Sequence, residues 1–376
     1  MLYGTPDLAP ADLRVLAGID AMRRDLRRRT AGPRRWEPLF VRHLTARAIA
    51  GSAVLGGYRP PPGEVESIVA GEPPPEASAP AARAIAGHRQ ALTYVGLLCR
   101  TRAFRYEVGL LAALNFMMTG HRPDRAPGTF RSGGASVRDQ VTGAVVYEAP
   151  RADRVPGLAR ELADWLNDGD LDAPAHVRAA VAHLNLAAIR PWREGNGRMA
   201  RALQALVLGR DGLVPPEFGL IDEWVGAGRA AYDYHDALAG VRGQGWSPHG
   251  ATLPWVRFVL RCQHMQAQRL GRRLAEAERV WTMLEETVRA EGLPARCAAA
   301  LYQVFAATRV RRGTYQADES LSPGQSARDL RELTRRGWLT PYGETKARHY
   351  GPGPRINALR SEFDDRAEPI KDPYQK

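Results

Sequence analysis

Residues 190–201 read Arg190-Pro191-Trp192-Arg193-Glu194-Gly195-Asn196-Gly197-Arg198-Met199-Ala200-Arg201, and this run joins two helical patterns. Upstream, Val177, Val181, Leu184 and Ala188 recur at helical spacing and predict a helix over 175–189. Pro191 ends it, because proline lacks an amide donor and clashes with the preceding turn. Downstream, Met199, Leu203, Leu206 and Leu208 predict a helix over 198–209. Glu194-Gly195-Asn196-Gly197 is therefore a tight connection that opens a helix, where free N–H groups and the positive end of the helix dipole attract anions. Glycines let the backbone come close to a phosphate and turn N–H groups inward. Arg198 and Arg201 lie one turn apart on one face, and each can grip phosphate oxygens bidentately. Glu194 is a hard oxygen ligand beside them, as Mg²⁺ requires. Trp192 is an apolar plug that can pin the loop to a core. Taken singly, these residues also describe a solvated helix-to-helix turn. Their coincidence within one short run points to a site for a metal-bound polyphosphate.

The run resembles the signature of the Fic family, His-Pro-Phe-x-(Asp/Glu)-Gly-Asn-Gly-Arg-x-x-Arg. Pro191, Glu194, Gly195, Asn196, Gly197, Arg198 and Arg201 match, Trp192 replaces Phe, and Arg190 replaces His. The resemblance implies ATP as the nucleotide, bound at Gly195, Asn196, Gly197, Arg198 and Arg201, with Mg²⁺ at Glu194. In the family the histidine deprotonates a hydroxyl of a target protein, which attacks the α-phosphate; AMP is transferred and pyrophosphate leaves. A general base should titrate near the working pH. Arginine stays protonated and has no lone pair to offer. Transfer is therefore expected to be impaired or altered, with Arg190 left to bind phosphate or to stabilise charge. His183 lies two helical turns upstream, roughly 10 Å along the axis, and reads as structural.

Further stretches carry the same resemblance. Pro127-Gly128-Thr129-Phe130-Arg131 is similar to a family element that leads into a hairpin, and Val137–Val141 and Ala144–Tyr147 flank Thr142-Gly143 as a short β signal. In the family this hairpin is a flap that pairs with the target's backbone, which makes Val141, Thr142, Gly143 and Ala144 the target-binding residues; such strand addition works through main-chain bonds. Tyr232-Asp233-Tyr234 and Trp255-Val256-Arg257-Phe258-Val259-Leu260 resemble family helices. Tyr232 and Tyr234 read either as the border of a base pocket or as ordinary core and rim aromatics. Many relatives carry an inhibitory helix whose Glu pairs with the second motif arginine. Here Ala46-Arg47-Ala48-Ile49-Ala50-Gly51, followed by Ser52, occupies the corresponding stretch, and Ala50 stands in the Glu position.

The 376 residues allow two or three domains with real cores. A hydrophobic share of 44% is ordinary for a globular protein. No apolar run reaches the length of a membrane span, and the first residues are no signal peptide. Cys99, Cys262 and Cys297 are scattered, with neither metal nor disulfide spacing, which suits a cytoplasmic protein. The net charge of +12 comes almost wholly from arginine, the lysines being Lys346, Lys371 and Lys376; it speaks to non-specific association, not to fold. The cluster Arg23-Arg24-Asp25-Leu26-Arg27-Arg28-Arg29 reads as a solvated helix surface.

The expected architecture is mainly α. A helical region at 1–80 precedes a core of the Fic type, a helical bundle with a β-hairpin flap, at 81–292. From Leu293 the pattern changes. Helices near 296–309 and 323–336 flank a polar loop, with Ser322 as N-cap and Pro323 in the first helical position. Gly337 ends the second, and two short strands follow around Pro341-Tyr342-Gly343. This resembles a winged helix-turn-helix over 293–360, whose second helix would expose Gln325, Arg328, Arg331 and Arg335 either to DNA or to a docking partner. A polar tail at 361–376 is expected to fray from Asp365. The partners implied are a nucleotide and a target protein at the flap, with DNA and a homodimer left open, and no membrane. Against the enzyme stands a second reading: a non-catalytic nucleotide sensor that acts through the winged helix.

Overall fold

The computed structural model describes the chain except for residues 62, 73–78, 140, 141, 308, 345–347, 363–368 and 376. The architecture is mainly helical and is built around α7 (Ala175–Ile189), which packs along α8 (Asn196–Arg210). The stripe read from the sequence understates α7. From His176 onward only Arg178 escapes full burial. Ala179, Ala180, Ala182, Ala187 and Ala188 let neighbours approach from every side, and a helix apolar all round is a core helix.

Around this pair stand α1 (Pro10–Arg29), α4 (Ala79–Arg100), α5 (Val108–Thr119), α6 (Val155–Asp168), α10 (Ala230–Arg242) and the first half of α11 (Leu253–Ala290). Trp255 of α11 is fully buried and its indole N–H donates to the Ala180 carbonyl at 2.7 Å, which fixes α11 against α7. One flank is closed by α2 (Glu37–Leu55), α3 (Glu64–Val69) and α9 (Asp222–Val225). Helices α2 and α9 touch backbone to backbone: a Cβ on Gly51 would come within 2.2 Å of the Asp222 carbonyl, and one on Gly226 within 2.4 Å of Gly51. Two glycines thus bring the end of α2 and the start of α9 to the same place, beside Arg201.

The hairpin consists of β1 (Ser136–Arg138) and β2 (Val145–Glu148), antiparallel with an irregularity after Val137. It is shorter than the expected strands, and Val141 lies outside the described residues. Its base is anchored, not free: the Glu148 amide donates to the Gln244 carbonyl at 2.8 Å, and the buried Tyr147 hydroxyl donates to the Ala188 carbonyl at 2.8 Å.

A second core gathers the later half of α11 (Leu274, Trp281, Leu284), Trp36 and Phe40 at the start of α2, and the C-terminal elements. These are α12 (Cys297–Ala307), α13 (Arg312–Asp318), α14 (Pro323–Arg335), β3 (Leu339–Tyr342), β4 (His349–Pro352) and α15 (Pro354–Glu362). Strands β3 and β4 pair antiparallel from Leu339↔Pro352 to Tyr342↔His349, and Val310 adds an antiparallel bridge to Tyr350. Helix α13 replaces the polar loop expected there. It is too short to show a period, and it is held by Tyr315, fully buried and donating to Asp329 at 3.0 Å. The N-cap at Ser322 is present as read, and it closes into a capping box with Gln325, whose side-chain oxygen accepts from the Ser322 amide at 3.0 Å.

Two expectations are corrected by ion pairs. Arg23 does not belong to a solvated surface: it is 5% exposed and binds Asp211 at 2.7 Å and His176 at 3.1 Å, tying α1 to α7 and the end of α8. Arg24, Arg27 and Arg28 do face solvent. Nor do the described residues of the tail fray. Arg261 holds Asp372 at 2.6 Å, and the Tyr374 hydroxyl donates to the buried Asp12 at 3.1 Å. Arg23→Ala strands a half-buried carboxylate and should cost about 3 kcal/mol, measured by chemical denaturation; a loss below about 1 kcal/mol would mean that α1 is held by apolar packing alone.

Candidate functional site

Arg131 organises the site, a role the sequence reading did not give it. This arginine is 4% exposed and every donor group of its guanidinium meets a carbonyl. Nε donates to Arg190 O at 2.8 Å, Nη1 to Gly133 O at 2.8 Å, and Nη2 to Pro150 O at 2.5 Å and Ile189 O at 3.3 Å. Its amide donates to Pro191 O at 3.0 Å. These bonds hold the end of α7 in an unusual turn. Arg190 is left-handed (φ 48°, ψ 63°), with its amide donating to Leu186 O at 3.1 Å. A non-glycine residue there costs on the order of 1 kcal/mol and needs such surroundings to persist.

The loop beyond it is shaped from below. Gly195 is also left-handed (φ 82°), and a Cβ there would meet Thr119 at 2.8 Å and Asn115 at 3.0 Å. Asn115, buried on α5, donates to Glu194 O at 3.0 Å and accepts from the Gly128 amide at 2.9 Å. The Asn196 side chain is engaged within the loop: Nδ2 donates to Trp192 O at 2.7 Å while Oδ1 accepts from the Trp192 amide at 3.1 Å. What it can offer toward the cavity is its backbone amide, together with those of Gly197 and Arg198 in the first turn of α8. Trp192 is buried beside Phe130, their ring centroids 6.4 Å apart.

Above the loop lies a cavity of roughly 520 Å³. Arg190, Glu194, Gly195, Asn196, Gly197, Arg198, Arg201 and Tyr234 all line it, so the structure brings together most of the residues predicted from sequence. Tyr232 is the exception. It is 74% exposed on the outer face of α10 and off the cavity, and is removed from the nucleotide-binding set. Tyr234 is 2% exposed and, at the cavity wall, links two groups: its hydroxyl meets His183 Nε2 at 2.9 Å and accepts from Arg201 Nη1 at 3.4 Å. Thr142, Gly143 and Ala144 are exposed at the hairpin turn, and Val137 of β1 reaches the cavity wall. His88 of α4 and His235 of α10 also line the cavity and were missed, because neither sits in a recognisable pattern.

The two motif arginines differ. Arg198 lies 3.4 Å from Glu194, whose other oxygen is 3.8 Å from Arg122. Arg201 is 4% exposed at its side chain, and Nε donates to Asp222 at 2.5 Å while Nη2 donates to the Ser52 hydroxyl at 2.6 Å. Burial works against the charge of Arg201, but Asp222 and Tyr234 outweigh it and hold its pKa above the ordinary value. The expected α2 stretch does reach this arginine, yet it brings Ser52, and the carboxylate comes from α9. Glu194 fits Mg²⁺ as one carboxylate among phosphate oxygens and waters. Among the described residues there is no cluster of three or more acidic, His or Cys side chains, so the protein alone offers no closed metal cage.

His183 is fully buried between Gln204 at 2.7 Å and Tyr234 at 2.9 Å, as befits a structural residue. Burial pushes its pKa down to about 3, and burial does the same to His43. Depressed imidazole pKa values mean that the unfolded chain binds more protons below about pH 6.5. The stability they confer is complete above that pH and is lost as pH falls. Unfolding free energy should therefore drop between about pH 6.5 and pH 4, by up to about 1.4 kcal/mol per pH unit for each group. Denaturant titrations at several pH values check this, and His183→Gln should flatten the slope; an unchanged slope would contradict the neutral buried imidazole.

A sequence model of the Fic/DOC family matches residues 108–208, which end in the motif loop and most of α8. The protein adenylyltransferase Fic of Nematostella vectensis is 26% identical over 179 residues, covering 47% of this chain and 37% of that protein. The chain thus spans little more than a third of that relative's length. Among solved structures, a Fic family protein from Desulfovibrio desulfuricans G20 superposes with a TM-score of 0.58 at 20% identity, over 94% of this chain and 99% of the other. A Fic domain containing signaling protein from Bacteroides thetaiotaomicron gives 0.55 at 18% identity, over 71% and 98%. The fold is shared across both. Residues 108–208, with the motif loop and the helices that carry it, are thus a Fic/DOC family domain, set in a fold shared with the Fic structures.

Proposed function

We propose that this protein binds Mg·ATP in the cavity over Gly195–Arg198, and that its reaction is the family's transfer of AMP to a hydroxyl of a target protein, curtailed at the proton-transfer step. The observation that supports this most is the loop itself: a left-handed glycine, the opening of α8, and a single acid beside Arg198 at the floor of one cavity. Backbone amides and Arg198 would hold phosphate oxygens. Glu194 would hold the metal, which when bound neutralises phosphate charge. The hairpin turn at Thr142, Gly143 and Ala144 is exposed, and its strand presents Val145 and Val146 to solvent, features that suit a peptide laid along it.

The chemistry is limited by Arg190. The attacking hydroxyl must lose a proton as its oxygen bonds to the α-phosphorus and pyrophosphate departs. Burial lowers the pKa of Arg190 from its ordinary value, as do the neighbouring Arg242 and Arg131. A guanidinium nonetheless stays protonated in proteins. Losing general-base catalysis typically costs 10²–10⁴ in rate.

A second reading is supported by α14. Arg328, Arg331 and Arg335 are exposed along it, next to the β3–β4 hairpin, in the manner of a winged helix-turn-helix that contacts DNA or a protein while the cavity senses nucleotide. Arg335 is partly occupied by Glu332 at 2.9 Å, and Gln325 by its capping role, which leaves Arg328 and Arg331 as the stronger contacts.

Label transfer from α-labelled ATP to target proteins separates the readings, with affinity for Mg·ATP measured by calorimetry on the same samples. The native protein should bind and transfer little, while Arg190→His should bind comparably and transfer at least about 100-fold faster. Transfer by the native protein at the rate of Arg190→His would overturn the block at Arg190. Binding without transfer by either, together with a nucleotide-dependent shift in DNA affinity, would favour the sensor.

A further inference from the structure

The cavity holds two sets of arginines, and they are treated differently. Arg198 and Arg201 each have a carboxylate, Glu194 and Asp222 respectively. Arg190 and Arg242 line the same cavity, and among the described residues neither has a carboxylate within 4.0 Å. Arg242, near the end of α10, is 5% exposed. Nε donates to Leu238 O at 3.2 Å and Nη1 to Ala187 O at 3.3 Å, both neutral and both long. Its guanidinium stands 4.5 Å from the Tyr147 ring centroid at the root of the hairpin. Arg190 approaches from the end of α7, and its Nε is buried with no hydrogen-bond partner among the described residues. The backbone leaves it little choice of direction, because Arg131 fixes the Arg190 carbonyl at 2.8 Å.

A buried charge without a counter-charge is costly, and two side by side are more so. The effect is visible in both groups: burial lowers the pKa of each, and Arg242 further lowers that of Arg190. Arg131 shows how this chain quiets a structural arginine, by surrounding it with carbonyls. Arg190 receives no such treatment. Arg190 and Arg242 line the cavity with a buried, unpaired Nε on the one and an under-occupied fork on the other, an arrangement that suits a doubly charged oxyanion held by both side chains.

We propose that Arg190 and Arg242 form a second anion subsite, on the hairpin side of the cavity, that holds a phosphoryl group. The group comes either from the nucleotide or from a second phosphorylated ligand; the recognition chemistry is the same. The subsite rests on Arg190 and Arg242 alone, whichever source supplies the group.

The test uses the full chain, with pyrophosphate and inorganic phosphate as probes in calorimetry. Arg190→Gln and Arg242→Gln should each weaken pyrophosphate binding by about tenfold or more, the worth of one charge-assisted contact. Arg242→Lys should recover only part of it, since a lysine lacks the fork. Among the described residues the Arg190 side chain makes no hydrogen bond, so Arg190→Gln carries the test even if Arg242→Gln fails to fold. Repeating the titration at saturating Mg·ATP identifies the source. Binding that persists assigns the subsite to a second ligand, and binding that is lost assigns it to the nucleotide's own phosphates. Native affinity for pyrophosphate in Arg190→Gln would overturn the subsite. Loss of Mg·ATP affinity in Arg198→Gln, with the effect of Arg190→Gln intact, would separate the two sites; loss of neither under Arg198→Gln would count against the nucleotide cradle alone.

Discussion

One guanidinium holds the site in register. Arg131 takes the last carbonyl of α7, the turn carbonyl of Arg190, the carbonyl of Gly133 before β1 and that of Pro150 beyond β2, and so welds the motif loop to both ends of the hairpin. Everything downstream inherits this. The left-handed turn at Arg190 sends the chain through Pro191 toward Gly195, and the hairpin root is fastened to the same helix end through Tyr147. A cation here also makes electrostatic sense, because the C-terminal carbonyls of a helix carry partial negative charge.

Much of this was legible in the chain before any fold was seen. The two helices and the loop between them follow from apolar spacing, one proline and two glycines, all local signals. What escaped reading is what depends on distant segments. Asp222 meets Arg201 from 21 residues later and nothing in its stretch announces it; the α2 stretch was expected beside this arginine by resemblance, but not that Ser52, 149 residues earlier, would make the contact. Asn115, His88 and Arg242 sit in ordinary helical patterns and become site residues only by where their helices lie. Tyr232 failed for the converse reason. It is two residues from Tyr234, and on a helix that spacing puts the pair on different faces. Helix α13 was missed because seven residues with one deep anchor carry no period.

The flank built by α2 and α9 is held by an interaction of backbone with backbone. Gly51 and Gly226 admit a contact that any side chain would prevent, and the contact delivers Ser52 and Asp222 to one arginine. The charge on Arg201 is thereby neutralised inside the protein. A ligand phosphate would have to compete with Asp222 for it, whereas Arg198 meets its acid at longer range and at the cavity wall. The motif's two arginines are thus equal in sequence and unequal in availability.

Helix α11 runs unbroken through 38 residues, roughly 57 Å at the usual rise. Its early turns belong to the core around α7 and its later turns to the core of the C-terminal helices. Neither core can lose this helix and survive, so neither can melt by itself. The chain should behave as a single cooperative unit, with slow-exchanging amides along the middle of α11 protected at the free energy of global unfolding. A shared beam of this kind also forbids the loose, hinged relation that a short linker would give the two ends of the molecule.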